Sequence, residues 1–81
     1  MQELPKNWSK EHNVLVREFQ FDAYLGGIEF VRQVAELAEF IQHHPHITIN
    51  YKTVRISLHT HDAGNVVTEK DVEMAAAINR L

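Results

Sequence analysis

The stretch "ITINYKTVRISLHTH", Ile47–His61, carries two alternations back to back. Ile47, Ile49 and Tyr51 alternate with Thr48 and Asn50. Val54, Ile56 and Leu58 then alternate with Arg55, Ser57 and His59. A period of two marks strands with one buried face. Two such runs separated by the short segment around Tyr51–Thr53 predict a β-hairpin, and hairpins pair antiparallel.

Upstream, "LVREFQF" (Leu15–Phe21) repeats the pattern, with Leu15, Arg17, Phe19 and Phe21 set against Val16, Glu18 and Gln20. Trp8–Glu11 can fold back on it through the turn-prone "EHN", which gives another hairpin. Asp22 offers an N-cap to a long helical pattern. One stripe of that helix is Tyr24, Ile28, Val31, Ala35 and Ala38, and the adjacent stripe is Gly27, Phe30, Val34, Leu37 and Ile41. Glu29, Gln33 and Glu36 face the other way, and Phe40 falls among them, exposed or held for a subunit contact. Pro45 cannot continue a helix and biases His44 away from helical angles, so the helix should end near His43. After the loop "DAGN", "TEKD" (Thr68–Asp71) resembles a capping box with Asp in the usual Glu position. It opens a helix to about Arg80 that buries Met74, Ala75, Ile78 and Leu81. The order ββαββα predicts an α+β fold, a four-stranded antiparallel sheet with helices packed on one face.

The 81 residues are enough for one domain, 1–81. At 44% hydrophobic and 23% charged they read as an ordinary soluble domain. A core this small covers its apolar faces poorly alone, which favours association. Without cysteine there is neither a disulfide nor a zinc–thiolate framework. The net charge of −3 and the scattered Lys and Arg leave no basic stripe for nucleic acid. "MQELPKNWSK" has no apolar run of a signal peptide, and no stretch approaches a membrane span, so the expected location is the cytoplasm.

Histidine is the unusual component: six in the chain, five of them between 43 and 61. In "EFIQHHPHI" (Glu39–Ile47), Glu39 and His43 are four apart on one helix face, and His44 lies where the helix breaks. His61 sits where the second hairpin becomes loop. Histidine gives and takes protons near neutral pH, so three of them with a carboxylate suit a proton-transfer centre. Spacing alone does not bring His61 to the other two. Helix C-termini also favour histidine for dipole reasons, and "THD" is a common turn. No histidine pair shows the i, i+4 spacing of a helical zinc motif, and no metal is expected.

These residues resemble the pterin-4a-carbinolamine dehydratase family. Its E-x-x-x-H-H-P pattern matches at Glu39, His43, His44 and Pro45, and its T-H-D/E element matches at Thr60, His61 and Asp62. "LPKNW", "LVREFQF", "FVRQVAELAE", "YKTVRISLHTHDAG" and "TEKDVEMAAAI" extend the similarity over nearly the whole chain. The resemblance implies removal of water from 4a-hydroxytetrahydropterin, the product of aromatic amino-acid hydroxylases, to give quinonoid dihydropterin. His43 and His61 would be the acid–base pair, His44 would hold the pterin, and Glu39 would orient or tune His43. Gln42, Pro45, His59, Thr60 and Asp62 would line the pocket. No cofactor is implied, and family members form dimers or dimers of dimers.

The chain departs from the family pattern in three places. Many members carry a helix before the L-P-x-W motif, whereas only Met1–Glu3 precede Leu4. Many have Trp where this chain has Ile47, which removes an aromatic wall. The loop "DAGNVVTEKD" is one residue longer than in animal members. Two other functions stay open beside catalysis. One is a protein-binding or dimerisation module, a role that animal members play with a homeodomain transcription factor. The other is a paralogue that binds a different heterocycle.

Overall fold

The computed structural model describes residues 4–81. The family's extra N-terminal helix, expected to be missing, concerns positions outside the described residues. The strands are β1 (Ser9–Glu11), β2 (Val14–Gln20), β3 (His46–Asn50) and β4 (Thr53–Leu58), and the helices are α1 (Tyr24–Ile41) and α2 (Glu69–Asn79). A short 3₁₀ turn, His61–Ala63, lies between β4 and α2. The sheet order is β1-β2-β4-β3, antiparallel throughout, as the sequence predicts.

Both hairpins close through two residues. Glu11 pairs with Val14, so His12 and Asn13 form the first turn, and both have positive φ (47° and 68°). That is the primed geometry whose twist matches paired strands. Asn50 pairs with Thr53 around Tyr51–Lys52, with Tyr51 at φ 55°. Register then sets the faces. Leu15 on β2 and Val54, Ile56 and Leu58 on β4 point into the core, where they meet Val34 and Ala38 of α1 and Met74, Ala75 and Ile78 of α2. Trp8 closes one end, and Phe19, Phe21 and Phe30 stack beside it. Gly27 sits where α1 packs against the sheet, and a Cβ there would meet Phe21 and Val54 at 3.4 Å, ordinary van der Waals contact. The other face of the sheet is polar, with Arg55 reaching Glu11 (3.3 Å) and Glu18 (3.4 Å) across the strands.

Four local expectations change. The N-cap of α1 is Ala23, in extended conformation and without a side-chain cap, rather than Asp22. The buried stripe of α1 is narrower than the periodicity suggests, because Tyr24, Ala35 and Ile41 are exposed. Leu81 is half exposed, since it follows the last turn of α2. The helix also stops at Ile41, two residues before His43. Gln42 takes the left-handed conformation (φ 56°, ψ 44°), its N–H bonds Ala38 O, and its Nε2 donates to Glu39 O at 2.6 Å. A left-handed non-glycine costs about 1 kcal/mol or more. The two hydrogen bonds to helix-end carbonyls offset that cost, and the reversal throws His43 and His44 to different sides.

Candidate active site

At the end of the sheet, where α1 stops and α2 starts, lies a cleft of about 380 Å³. Its wall contains Gln42, His43, His44, Pro45, His59, Thr60, His61 and Asp62, so the sequence-predicted residues meet there, apart from Glu39. The antiparallel register produces the meeting. With His46 opposite Ser57, the segment before β3 runs alongside the segment after β4, and the HHP and THD elements face each other.

The covered flank of the cleft is built on Asp71, which is fully buried. Its Oδ1 lies 2.5 Å from His43 Nε2. Its Oδ2 accepts from Thr60 Oγ1 at 2.8 Å and from the Thr68 backbone N–H at 2.9 Å. Thr60 and Thr68 hydroxyls are themselves 2.6 Å apart. Taking a carboxylate out of water costs several kcal/mol unless it is paired and hydrogen-bonded. Three partners meet that demand, and no buried side-chain polar atom among the described residues lacks a partner. Because Asp71 accepts, His43 donates from Nε2, which fixes the ring and leaves Nδ1 as the lone-pair nitrogen of the neutral form.

Glu39 does not do what the i, i+4 spacing suggests. It pairs with His44, Oε2 to Nε2 at 2.5 Å, and both side chains are largely exposed. The cause is the left-handed Gln42, which swings His43 inward to α2 and leaves His44 beside the last turn of α1. His61 opens the 3₁₀ turn with its Nδ1 held by Asn65 Oδ1 at 3.0 Å. Its Nε2 has no partner among the described residues.

Sequence reasoning did not reach Asp71, His46, Ser57 or Lys70, the last three of which also line the cleft. The signal for Asp71 was present in "TEKD". An aspartate in the third helical position reaches the Thr68 N–H with one oxygen and leaves the other free to bond across the fold.

The family model for pterin 4 alpha carbinolamine dehydratase matches residues 1–81. The chain belongs to that family. A relative from Haloarcula marismortui, provisionally named pterin-4-alpha-carbinolamine dehydratase, is 43% identical over 76 residues, which is 94% of this chain and 82% of the relative. The crystal structure of a transcriptional coactivator/pterin dehydratase from Brucella melitensis superposes with a TM-score of 0.87 at 33% identity, covering 94% of this chain and 82% of that one. A pterin dehydratase-like protein identified as a RuBisCO assembly factor in the alpha-carboxysome superposes with a TM-score of 0.76 at 25% identity, covering 91% and 87%. A structural neighbour of this chain is thus described by an assembly role. Among the described residues no group of His, Asp or Glu is arranged to hold a metal ion, and no helix is long and apolar enough to cross a membrane.

Proposed function

We propose that this protein is a hydro-lyase that dehydrates 4a-hydroxytetrahydropterin to quinonoid dihydropterin. The observation that carries the reading is that His43 and His61, from the two sides of the second hairpin, line one cleft, each with one ring nitrogen free of a side-chain partner. The elimination needs only proton transfers. One histidine gives a proton to the 4a-hydroxyl, and the C4a–O bond breaks with its electron pair, releasing water. The N5 lone pair forms the C4a=N5 double bond, and the N5 proton passes to the second histidine. His43 suits the acceptor role, because Asp71 holds its Nε2–H and stabilises the imidazolium that forms. His61 would serve as donor in its imidazolium form, with Nδ1–H held by Asn65 Oδ1 and the Nε2 proton given to the departing hydroxyl. His44, steadied by Glu39, would hold the pterin with Gln42, Pro45, His59, Thr60 and Asp62.

In this reading the protein recycles tetrahydropterin in the cytoplasm as a homodimer or homotetramer, and its substrate comes from a pterin-dependent aromatic hydroxylase. Stopped-flow absorbance of freshly generated 4a-hydroxytetrahydropterin tests it. Wild-type protein should accelerate the loss of water, and a His43→Ala/His61→Ala variant should lose at least about 100-fold of that acceleration. A folded wild-type protein with no acceleration refutes the reading.

One observation favours a second reading, a protein-binding module. Phe40 is 85% exposed beside the half-exposed Ile41, and one structural relative is described as an assembly factor. In that case substitution of Phe40, and not of the histidines, would abolish function.

A further inference from the structure

The end of the core away from the histidine cleft holds a second cavity, of about 330 Å³. Phe19, Phe21 and Phe30 give it an aromatic wall, and Ile78 and Leu81 line it as well. The rings tilt against one another, with centroids 4.6 Å apart for Phe19 and Phe30 and 5.4 Å apart for Phe21 and Phe30, and each is only partly buried. One charge stands in this wall. Arg17 is paired in register with Ile56, so it lies on the core face of the sheet, where it is half-buried. A cation drawn out of water is costly unless an anion compensates it. Arg32 and Arg55 each meet two carboxylates, whereas Arg17 meets none among the described residues. Its Nη1 donates instead to the neutral Asn79 Oδ1 at 2.5 Å, and its guanidinium carbon lies 4.2 Å from the centre of the Phe19 ring. Asn79 is itself pinned by Trp8 Nε1 and by the Lys6 carbonyl. The guanidinium is therefore held in place by neutral groups, with N–H donors to spare and its charge unmatched. Glu18 also borders the cavity, but strand parity turns it to the open face, where Arg55 engages it at 3.4 Å.

We infer that this cavity is a binding site for a small aromatic monocarboxylate, with the carboxylate on Arg17 and the ring against Phe21 and Phe30. The planar guanidinium fork matches a carboxylate, and a fork already held in position loses little freedom on binding. Arg17 is the only cation that lines the cavity, so one negative charge is matched there. Phenyl rings favour an aromatic guest through edge-to-face contact beyond simple burial. The volume is at the small end for ligand pockets, which suits one ring system and not a long acyl chain. The site shares no lining residue with the histidine cleft and does not rest on the dehydratase reading.

Isothermal titration calorimetry of the full chain with phenylacetate, phenylacetamide and cyclohexylacetate tests the assignment. Wild-type protein should bind phenylacetate at least about 10-fold tighter than its amide, the value of one charge-assisted hydrogen bond, and tighter than the cyclohexyl acid. Arg17→Gln, checked for folding by circular dichroism, should lose the preference for acid over amide. Backbone amide NMR shifts on adding phenylacetate should gather at Phe21, Phe30 and Ile78 and spare His43 and His61. No binding at millimolar phenylacetate, equal binding of acid and amide, shifts confined to the histidine cleft, or a preference that survives in folded Arg17→Gln would each overturn the site. Binding of cyclohexylacetate as tight as phenylacetate would overturn the aromatic class. Should Arg17→Gln fail to fold, the wild-type comparison of acid with amide and the shift map decide the matter on their own.

Discussion

His43 Nε2 lies 2.5 Å from Asp71 Oδ1, across 28 residues of chain and between the end of one helix and the start of the other. This contact joins fold to site. The same carboxylate that helps to begin α2 sets the orientation of an imidazole in the cleft. Asp71→Asn should therefore separate the two duties. An amide keeps the shape but presents one acceptor oxygen in place of two, so it cannot serve His43 on one side and Thr60 and the Thr68 N–H on the other. Dehydration should fall about 10- to 100-fold in kcat. Asp71→Ala, which strands all three donors in a buried site, should in addition cost about 3 kcal/mol in chemical denaturation.

Glu39 gives the contrasting case. Its partner is His44, and both are exposed, at 73% and 57% of the side chain, so the pair is worth less than about 1 kcal/mol. Glu39→Ala should leave the denaturation midpoint nearly unchanged and raise KM more than it lowers kcat. A kcat loss equal to that of Asp71→Asn would mean that Glu39 acts on the reacting histidine after all.

These two residues show how far the sequence carried the site. Period-two and helical patterns were sufficient for the sheet, its hairpins and both helices, because burial dictates those patterns directly. Spacing left open whether His61 meets the other histidines, and the hairpin register is what sets the two segments side by side. The partner of each histidine was not legible. It depended on a single left-handed residue, Gln42, which is not a glycine and so gave no local warning. Asp71 looked like a cap, and its second contact is long-range. Leu81 and Ala35 fell on apolar positions but are exposed, because periodicity reports which face a residue is on and not whether another element covers it.

Phe40 is 85% exposed on the side of α1 away from the sheet. Its replacement by aspartate removes no core contact, so the stability of the single chain should change by no more than about 0.5 kcal/mol. If this face joins copies of the chain, Phe40→Asp should shift sedimentation velocity to a smaller species. An unchanged sedimentation coefficient would place the subunit contact elsewhere.

The exposed face of α1 also carries a charge cluster in which Arg32 bonds Glu29 at 2.6 Å and Glu36 at 2.6 Å. The hydrogen bond from Arg32, helped by Gln33, holds the Glu29 carboxyl below its usual 4.5. A group whose pKa is depressed by folding stabilises the fold above its unfolded value and loses that contribution as pH falls through the folded one. Glu29→Gln should thus lower the denaturation midpoint slightly at neutral pH. The difference from wild type should shrink as pH falls below that usual value and vanish once it is below the lowered folded one, and a difference that persists in still stronger acid would exclude the ion pair as its cause.

Asn79 offers the last test, because one side chain ties three segments at the end of the core away from the cleft. Its Oδ1 accepts from Trp8 Nε1 at 2.9 Å and from Arg17 Nη1 at 2.5 Å, and its Nδ2 donates to Lys6 O at 3.0 Å. Arg17 in turn stacks over Phe19, 4.2 Å from the ring centre. Asn79→Ala strands the indole N–H of a buried tryptophan and loosens the segment before β1. The expected loss is about 1 to 3 kcal/mol. Trp8 is the only tryptophan, so its emission reports the site directly. It should shift to the red in the folded variant as water reaches the ring, while dehydration activity at the far end of the sheet stays near the wild-type rate. A variant that loses activity in parallel with Trp8 exposure would show instead that the two ends of the core are coupled through α2.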